Sequence, residues 1–161
     1  MPLISIIVPV YNVDKYLKKC LNHLLNQTIR DIEIICVDDC STDNSLKILE
    51  EYAGDDSRMT LVSFESNKGA ASARNEGLKY AVGEYIFFID PDDYIDFNFL
   101  EILYKKAKEG DFDIVKGNDT MLYKFGITRN IRKSNEKIQA ELENFPVPYQ
   151  SFGHCWLAAI Y

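Results

Sequence analysis

The chain has 161 residues, 47% of them hydrophobic, and a formal net charge of −7. Such a length supports one domain with a real core, since a domain of about 150 residues buries roughly 70% of its unfolded surface. No apolar run approaches the ~18 residues of a membrane span, and the acidic balance argues against nucleic acid as the main partner.

The opening "MPLISIIVPVYN" has neither a basic leader region nor a small-residue cleavage site, so it reads as a first strand and the expected compartment is the cytoplasm. "LISIIV" (3–8) is followed by "VDKYLKKCLNHLLNQ", where Tyr16, Leu17, Cys20, Leu21, Leu24 and Leu25 recur at helical spacing. "IEIICV" (32–37) is a second strand. "STDNSLKILEEYA" opens with capping residues and continues with Leu46, Leu49 and Tyr52 on one helix face. "MTLVSF" (59–64) is a weaker strand expected near a sheet edge. "GAASARNEGLKYAV" is a helix, "EYIFFI" (84–89) a fourth buried strand, "NFLEILYKKAKEG" a helix stopped by Gly110, and "FDIVKG" (112–117) a short fifth strand. This β-α alternation predicts an α/β fold with a mainly parallel sheet and right-handed crossovers. From residue 117 onward the pattern weakens and the charge changes. Residues 117–161 carry a net +1, leaving −8 on residues 1–116. The expected division is thus 1–116 as a ligand-binding half and 117–161 as the start of a second region.

Four cysteines, Cys20, Cys36, Cys40 and Cys155, form no CxxC pair and no zinc spacing, and His23 and His154 stand alone. Structural roles are expected for both histidines. Cys36, inside an apolar run, is expected to be a small buried hydrophobe.

In parallel sheets of this kind ligands bind outside the carboxyl ends of the strands. The residues there are "PVYN", "DDCSTD", "ESNKG" and "DPDD" in chain order. Asp90, Asp92 and Asp93 follow a buried strand directly. One Asp would cap a helix, and Asp96 is better placed for that, so three suggest a divalent cation, which takes one or two carboxylates plus substrate phosphates. Asp38 or Asp39, ending the second strand, is expected to accept from a ribose hydroxyl or a base N–H. Tyr11 offers a base-stacking face worth ~1–3 kcal/mol. Gly69 opens a helix whose N-terminus favours anions, Gly77 costs ~1 kcal/mol inside that helix and so implies a packing reason, and Arg74 can meet phosphate or clamp a carboxylate. The chain lacks GxGxxG after the first strand, GxxxxGK[ST] and GxSxG. A nucleotidyltransferase would want a basic, glycine-rich first loop, and "PVYNVDKY" is not one. A signalling receiver domain would end its third strand with an Asp, where this chain has Glu65.

Four motifs together, "SIIVPVYN" (5–12), "IEIICVDDCSTD" (32–43), "NKGAASARNEGL" (67–78) and "YIFFIDPDDY" (85–94), resemble the family 2 glycosyltransferases over roughly residues 3–116. The resemblance implies a GT-A, Rossmann-like fold and inverting transfer of a sugar from a nucleotide donor, usually a UDP-sugar, with Mn²⁺ or Mg²⁺ on the diphosphate. Carried over by position, Pro9, Tyr11 and Asn12 line the nucleoside pocket, and Asp38 or Asp39, with Asp39 favoured, contacts base or ribose. Asn67 and Arg74 hold the nucleotide, Asp90 reaches ribose or metal, Asp92 holds the metal, and Asp93 assists or faces the sugar. The implied acceptor is a glycan or a lipid-linked molecule, with peripheral association at the inner face of a membrane through sequence outside these residues. In the family the base, commonly in a Glu-Asp pair, follows a segment like "GHCWLAAIY" (153–161). The catalytic base is therefore expected beyond Tyr161, the chain is expected to be the donor half truncated at its C-terminal side, and its own transfer activity is expected to be slight. Glu136, Glu141 and Glu143 do not match the base motif.

Overall fold

The computed structural model describes residues 1–117 and three short strands at 120–122, 128–130 and 156–159. Glu136, Glu141, Glu143, His154 and Cys155 lie outside the described residues. Elements run β1 (Ile4–Val10), α1 (Asp14–Leu25), β2 (Ile32–Asp38), α2 (Ser45–Asp55), β3 (Met59–Ser63), α3 (Ala70–Leu78), β4 (Tyr85–Phe88), α4 (Phe99–Gly110), β5 (Ile114–Lys116), β6 (Thr120–Leu122), β7 (Thr128–Asn130) and β8 (Trp156–Ala159). The main sheet has the order β3-β2-β1-β4-β8-β5, and β6 pairs with β7 separately. The expected mainly parallel sheet is found: β3, β2, β1 and β4 are all parallel, in register Ile4 to Ile32 and Ile4 to Tyr85. The weak strand "MTLVSF" is an edge strand, as its mixed pattern predicts. A strand from near the end of the chain, β8, inserts between β4 and β5, antiparallel to both.

Strand alternation divides the core into two layers. Ile4, Ile6, Val8 and Val10 of β1 face a large cluster with Leu17, Cys20, Leu21 and Leu24 of α1, Leu49 of α2, and Leu100, Leu103 and Ala107 of α4. Ile7 faces the other way with Ile35, Val37, Ala73 and Ile86. That second layer is thin because α3 carries small residues and lies close to the sheet. A Cβ built on Gly77 would sit 2.6 Å from Ile7 Cγ2 and 3.5 Å from Val37 Cγ2, which is the packing reason its presence inside a helix implied. Among the described residues no helix is long and apolar enough to cross a membrane.

Two local details correct the sequence reading. The first strand, expected over 3–8, is not ended by Pro9, which lies inside β1 opposite Val37. The Ile7 carbonyl accepts from Ile89 on the β4 side, and the Pro9 nitrogen faces that same side two residues later, where β1–β4 pairing has already stopped at Ile7. The donor that proline lacks therefore has no ladder partner to lose. At the end of α4, Gly110 is the last helical residue, and the left-handed position is taken by Asp111 at φ 50°.

Gly77→Ala is expected to lower stability by about 1–3 kcal/mol, since an overpacked methyl must displace a fully buried isoleucine. Urea unfolding measures this; an unchanged midpoint would mean that α3 does not approach β1 so closely.

Candidate functional site at the carboxyl edge of the sheet

The loops after β1 and β2 interlock. Asn12, at φ 51°, adopts a left-handed conformation that Asn tolerates better than most residues. Its Oδ1 accepts from the Thr42 amide at 2.7 Å, the Thr42 hydroxyl at 3.2 Å and the Asp43 amide at 3.3 Å. In return the Asn12 amide donates to Ser41 Oγ, the Val13 amide to Ser45 Oγ and the Asp14 amide to Asp43 Oδ2. Asn12, read from sequence as a pocket-lining residue, thus joins the two loops. Tyr11, beside it, is 47% exposed, while Pro9 is buried in the strand.

The acidic pair after β2 is almost fully buried, Asp38 at 1% and Asp39 at 2% exposure. Asp39 Oδ1 accepts from the Lys68 amide at 2.6 Å and Oδ2 from the Gly69 amide at 2.8 Å, while the Asp39 amide donates to the Val10 carbonyl at 2.8 Å. Asn67 Nδ2 adds a longer contact to the Asp39 carbonyl at 3.4 Å. Gly69, at φ 85°, takes the turn into α3 that a side chain would strain. The two amides occupy two of roughly four lone-pair sites on the Asp39 carboxylate and fix its orientation. Asp38 is different: its Oδ2 accepts from the Ser41 amide at 3.1 Å, but its Oδ1 is buried without a hydrogen-bond partner among the described residues. A buried, unpaired carboxylate oxygen is costly and calls for an explanation.

Packing of Ala73 and Gly77 on the sheet aims Arg74, one residue along α3, toward the end of β4. There it forms an ion pair with Asp90, with the Arg74 side chain only 13% exposed. Asp90 begins a tight turn in which its carbonyl accepts the Asp93 amide at 3.0 Å; Asp92 and Asp93 are exposed. The negative field of this turn reaches α1 beneath it. Burial first, and then Asp93, Asp92 and Asp90, push the Cys20 thiol up to about 12. Cys20 and Cys36 are therefore inert buried thiols, Cys36 as expected, and Cys20, Cys36 and Cys40 are all free.

The structure thus brings Tyr11, Asp38, Asp39, Asn67, Arg74 and Asp90 to one edge, with Asp92 and Asp93 at its surface. Among the described residues no three His, Cys, Asp or Glu side chains converge to hold a metal by themselves. Two exposed carboxylates beside a paired third fit instead an ion that completes its coordination with phosphate oxygens. Sequence reasoning missed the contribution of the C-terminal turn of α1. His23 Nδ1 lies 2.9 Å from the Ile95 carbonyl, and the buried Gln27 bonds the segment after the acidic turn. The apolar residues of α1 gave its helix away, but a lone Gln beyond them carries no periodic signal.

Asp43 titrates in a way that follows from this network. Burial pushes its carboxyl up, but hydrogen bonds from the Ser45 side chain and from the Asp14 and Ser45 amides prevail and hold it below the ordinary 3.8. With a depressed folded value, the unfolded chain binds the proton first, so the contribution is complete above 3.8 and is lost as pH falls through the folded value. Asp43→Asn is expected to be less stable than the parent near pH 7, with the gap closing in acid. Urea titrations of both proteins along the pH scale check this, and a gap independent of pH would contradict it.

The sequence profile of glycosyl transferase family 2 matches residues 5–160. Glycosyltransferase GlyG of Streptococcus pneumoniae serotype 4 is 47% identical over 116 residues, covering 72% of this chain and 38% of that protein. Among solved structures, S. aureus TarS 1-349 in complex with UDP-GlcNAc aligns with a TM-score of 0.66 at 38% identity, over 71% of this chain and 33% of that one. The mannosyltransferase PcManGT from Pyrobaculum calidifontis, in complex with GDP-Man and Mn²⁺, aligns with a TM-score of 0.54 at 29% identity, over 58% and 28%. The chain thus spans about a third of the length of these relatives.

Proposed function

The chain belongs to glycosyl transferase family 2, and from that premise we propose that its carboxyl-edge site binds a UDP-sugar with Mn²⁺ or Mg²⁺, for inverting transfer to a glycan or lipid-linked acceptor. The observation that carries the reading is the Arg74–Asp90 ion pair. It sets a guanidinium, the group best suited to grip phosphate oxygens, against the acidic turn that suits a hard divalent cation. A metal-bearing diphosphate satisfies both partners at one place.

In this arrangement Tyr11 stacks on the base, and Asp39, held by the Lys68 and Gly69 amides, accepts the uracil N3–H on a remaining lone pair. Asp38, with its unpartnered Oδ1, is the alternative acceptor. Asn67 and Arg74 hold the nucleotide. Asp92, with Asp90, would hold the ion, whose chemistry is to neutralise the departing diphosphate. Asp93 stands toward the sugar. Deprotonating the acceptor hydroxyl requires a general base, worth typically ~10²- to 10⁴-fold in rate; we place it outside residues 1–117. Support for uracil comes from TarS, the more similar of the two ligand-bound structures.

Calorimetric titration tests this. UDP is expected to bind about tenfold or more tightly in Mn²⁺ than in chelator, a difference of about 1.4 kcal/mol, and Asp92→Asn to erase most of it. CDP, whose neutral base has no N3–H, is expected to bind more weakly than UDP, with the gap narrowed by Asp39→Ala if Asp39 reads the base and by Asp38→Ala if Asp38 does. Equal UDP affinity with and without metal contradicts the metal role. Equal UDP and CDP affinity contradicts the base assignment.

A further inference from the structure

Gln27 is a fully buried amide, at 0% exposure, just past the last turn of α1. Its Oε1 accepts from the Leu100 amide at 3.1 Å, in the first turn of α4, whose N-cap residue Asn98 makes no side-chain capping bond. Its Nε2 donates to the Asp96 carbonyl at 2.8 Å and the His23 carbonyl at 3.1 Å. One side chain thus meets three backbone groups, of which the Asp96 carbonyl also accepts from the Phe99 amide at 3.0 Å. The neighbouring contacts point the same way. His23 Nδ1 meets the Ile95 carbonyl, and the Thr28 amide donates to the Phe97 carbonyl at 2.7 Å. The His23 ring stacks on Phe97 at 4.8 Å and tilts against Tyr94 at 5.0 Å. Residues 94–97 are therefore fastened, one after another, to the end of α1.

The acidic turn hangs between this fastening and the end of β4. On the strand side, the Ile89 amide donates to the Ile7 carbonyl and Asp90 pairs with Arg74. On the far side, Asp92 and Asp93 are exposed and take their position from a backbone anchored within the next few residues. Carboxylates that share an ion with a diphosphate must sit within a few tenths of an ångström of their productive places, and residues behind them set that precision.

We infer that Gln27 is a positioning residue for the metal–diphosphate turn, holding Asp92 and Asp93 in place through Asp96 and Leu100 without touching any ligand. This rests on the reading of residues 90–93 given under Proposed function. It gives a fully buried glutamine a task that packing alone does not require, since an apolar side chain of the same size would fill the space.

The test uses the full chain, with Gln27→Met removing all three bonds at similar volume and Gln27→Glu keeping the acceptor for Leu100. Amide hydrogen exchange in the ligand-free protein is expected to speed up about tenfold at residues 92–98 in Gln27→Met and less in Gln27→Glu, with β1 and β2 unchanged. UDP affinity in chelator is expected to stay within about twofold, while the Mn²⁺-dependent gain falls about tenfold. Faster exchange throughout the sheet, or none in the loop, would reduce Gln27 to an ordinary structural residue and overturn the inference. So would a Mn²⁺-dependent gain that survives in both variants. A parent protein with no such gain would instead overturn the metal–diphosphate reading, with loop exchange still deciding whether Gln27 anchors the turn. Should Gln27→Met not fold, Gln27→Glu, which loses the bonds to the Asp96 and His23 carbonyls alone, carries the same readouts.

Discussion

The carboxylate of Asp39 reaches two consecutive amides, those of Lys68 and Gly69, and the position of everything on the far side of the site depends on that contact. Hydrogen bonds to a charged acceptor contribute about 1.5–3 kcal/mol each, more than a neutral pair, and here the accepting residue is buried while its donors lie nearer the surface. They fix where the chain enters α3. With its entry fixed and its small face on Ile7 and Val37, α3 has one place to lie, and that place sets Arg74 opposite Asp90. A contact at the end of β2 thereby determines the electrostatics at the end of β4, although β1 lies between the two strands.

The opposite half of the site is held from the other sheet face. Asn12 ties the β1 loop to the β2 loop, and the end of α1 holds the segment that follows the acidic turn. The exposed groups at the edge, Tyr11, Asp92 and Asp93, therefore stand on backbone that is fastened on both sides of them. Such an arrangement suits recognition that needs little rearrangement on binding, because the ordering cost is met during folding. It also accounts for several of the buried polar groups. Gln27 and Asp39 are satisfied by backbone groups of the loops they hold, while Asp38 Oδ1 is buried with no hydrogen-bond partner among the described residues.

Much of this was legible in the sequence. The strands were readable because "SIIV", "IEIICV" and "YIFF" are apolar on both faces, which only a covered parallel sheet requires. Gly77 announced a close approach because nothing else justifies a glycine inside a helix, and the clustering of Asp90, Asp92 and Asp93 after a buried strand marked the turn that meets Arg74. What stayed hidden depends on tertiary geometry. Whether Pro9 ends a strand depends on where its neighbour stops pairing, and the strand β8 between β4 and β5 comes from a distant part of the chain. Gln27 looks like an ordinary polar residue after a helix, because the partners it holds beside the acidic turn, Asp96 and Leu100, lie far along the chain. Asn12 was noticed for its place beside Tyr11, but its bonds to Thr42 and Asp43 needed both loops in view.

On the function proposed above, the site stands assembled before its ligand arrives, and one ligand, a uridine diphosphate with a divalent cation, joins Tyr11, Arg74 and the acidic turn. A crystal structure of the protein with UDP and Mn²⁺ tests it most directly. The account predicts the base on Tyr11, the diphosphate between Arg74 and Asp92, the Asp39 bonds to Lys68 and Gly69 intact, and backbone shifts in the four loops below about 1 Å. A nucleotide bound away from this edge, or bound only after the loop at residues 67–69 has left Asp39, would contradict it.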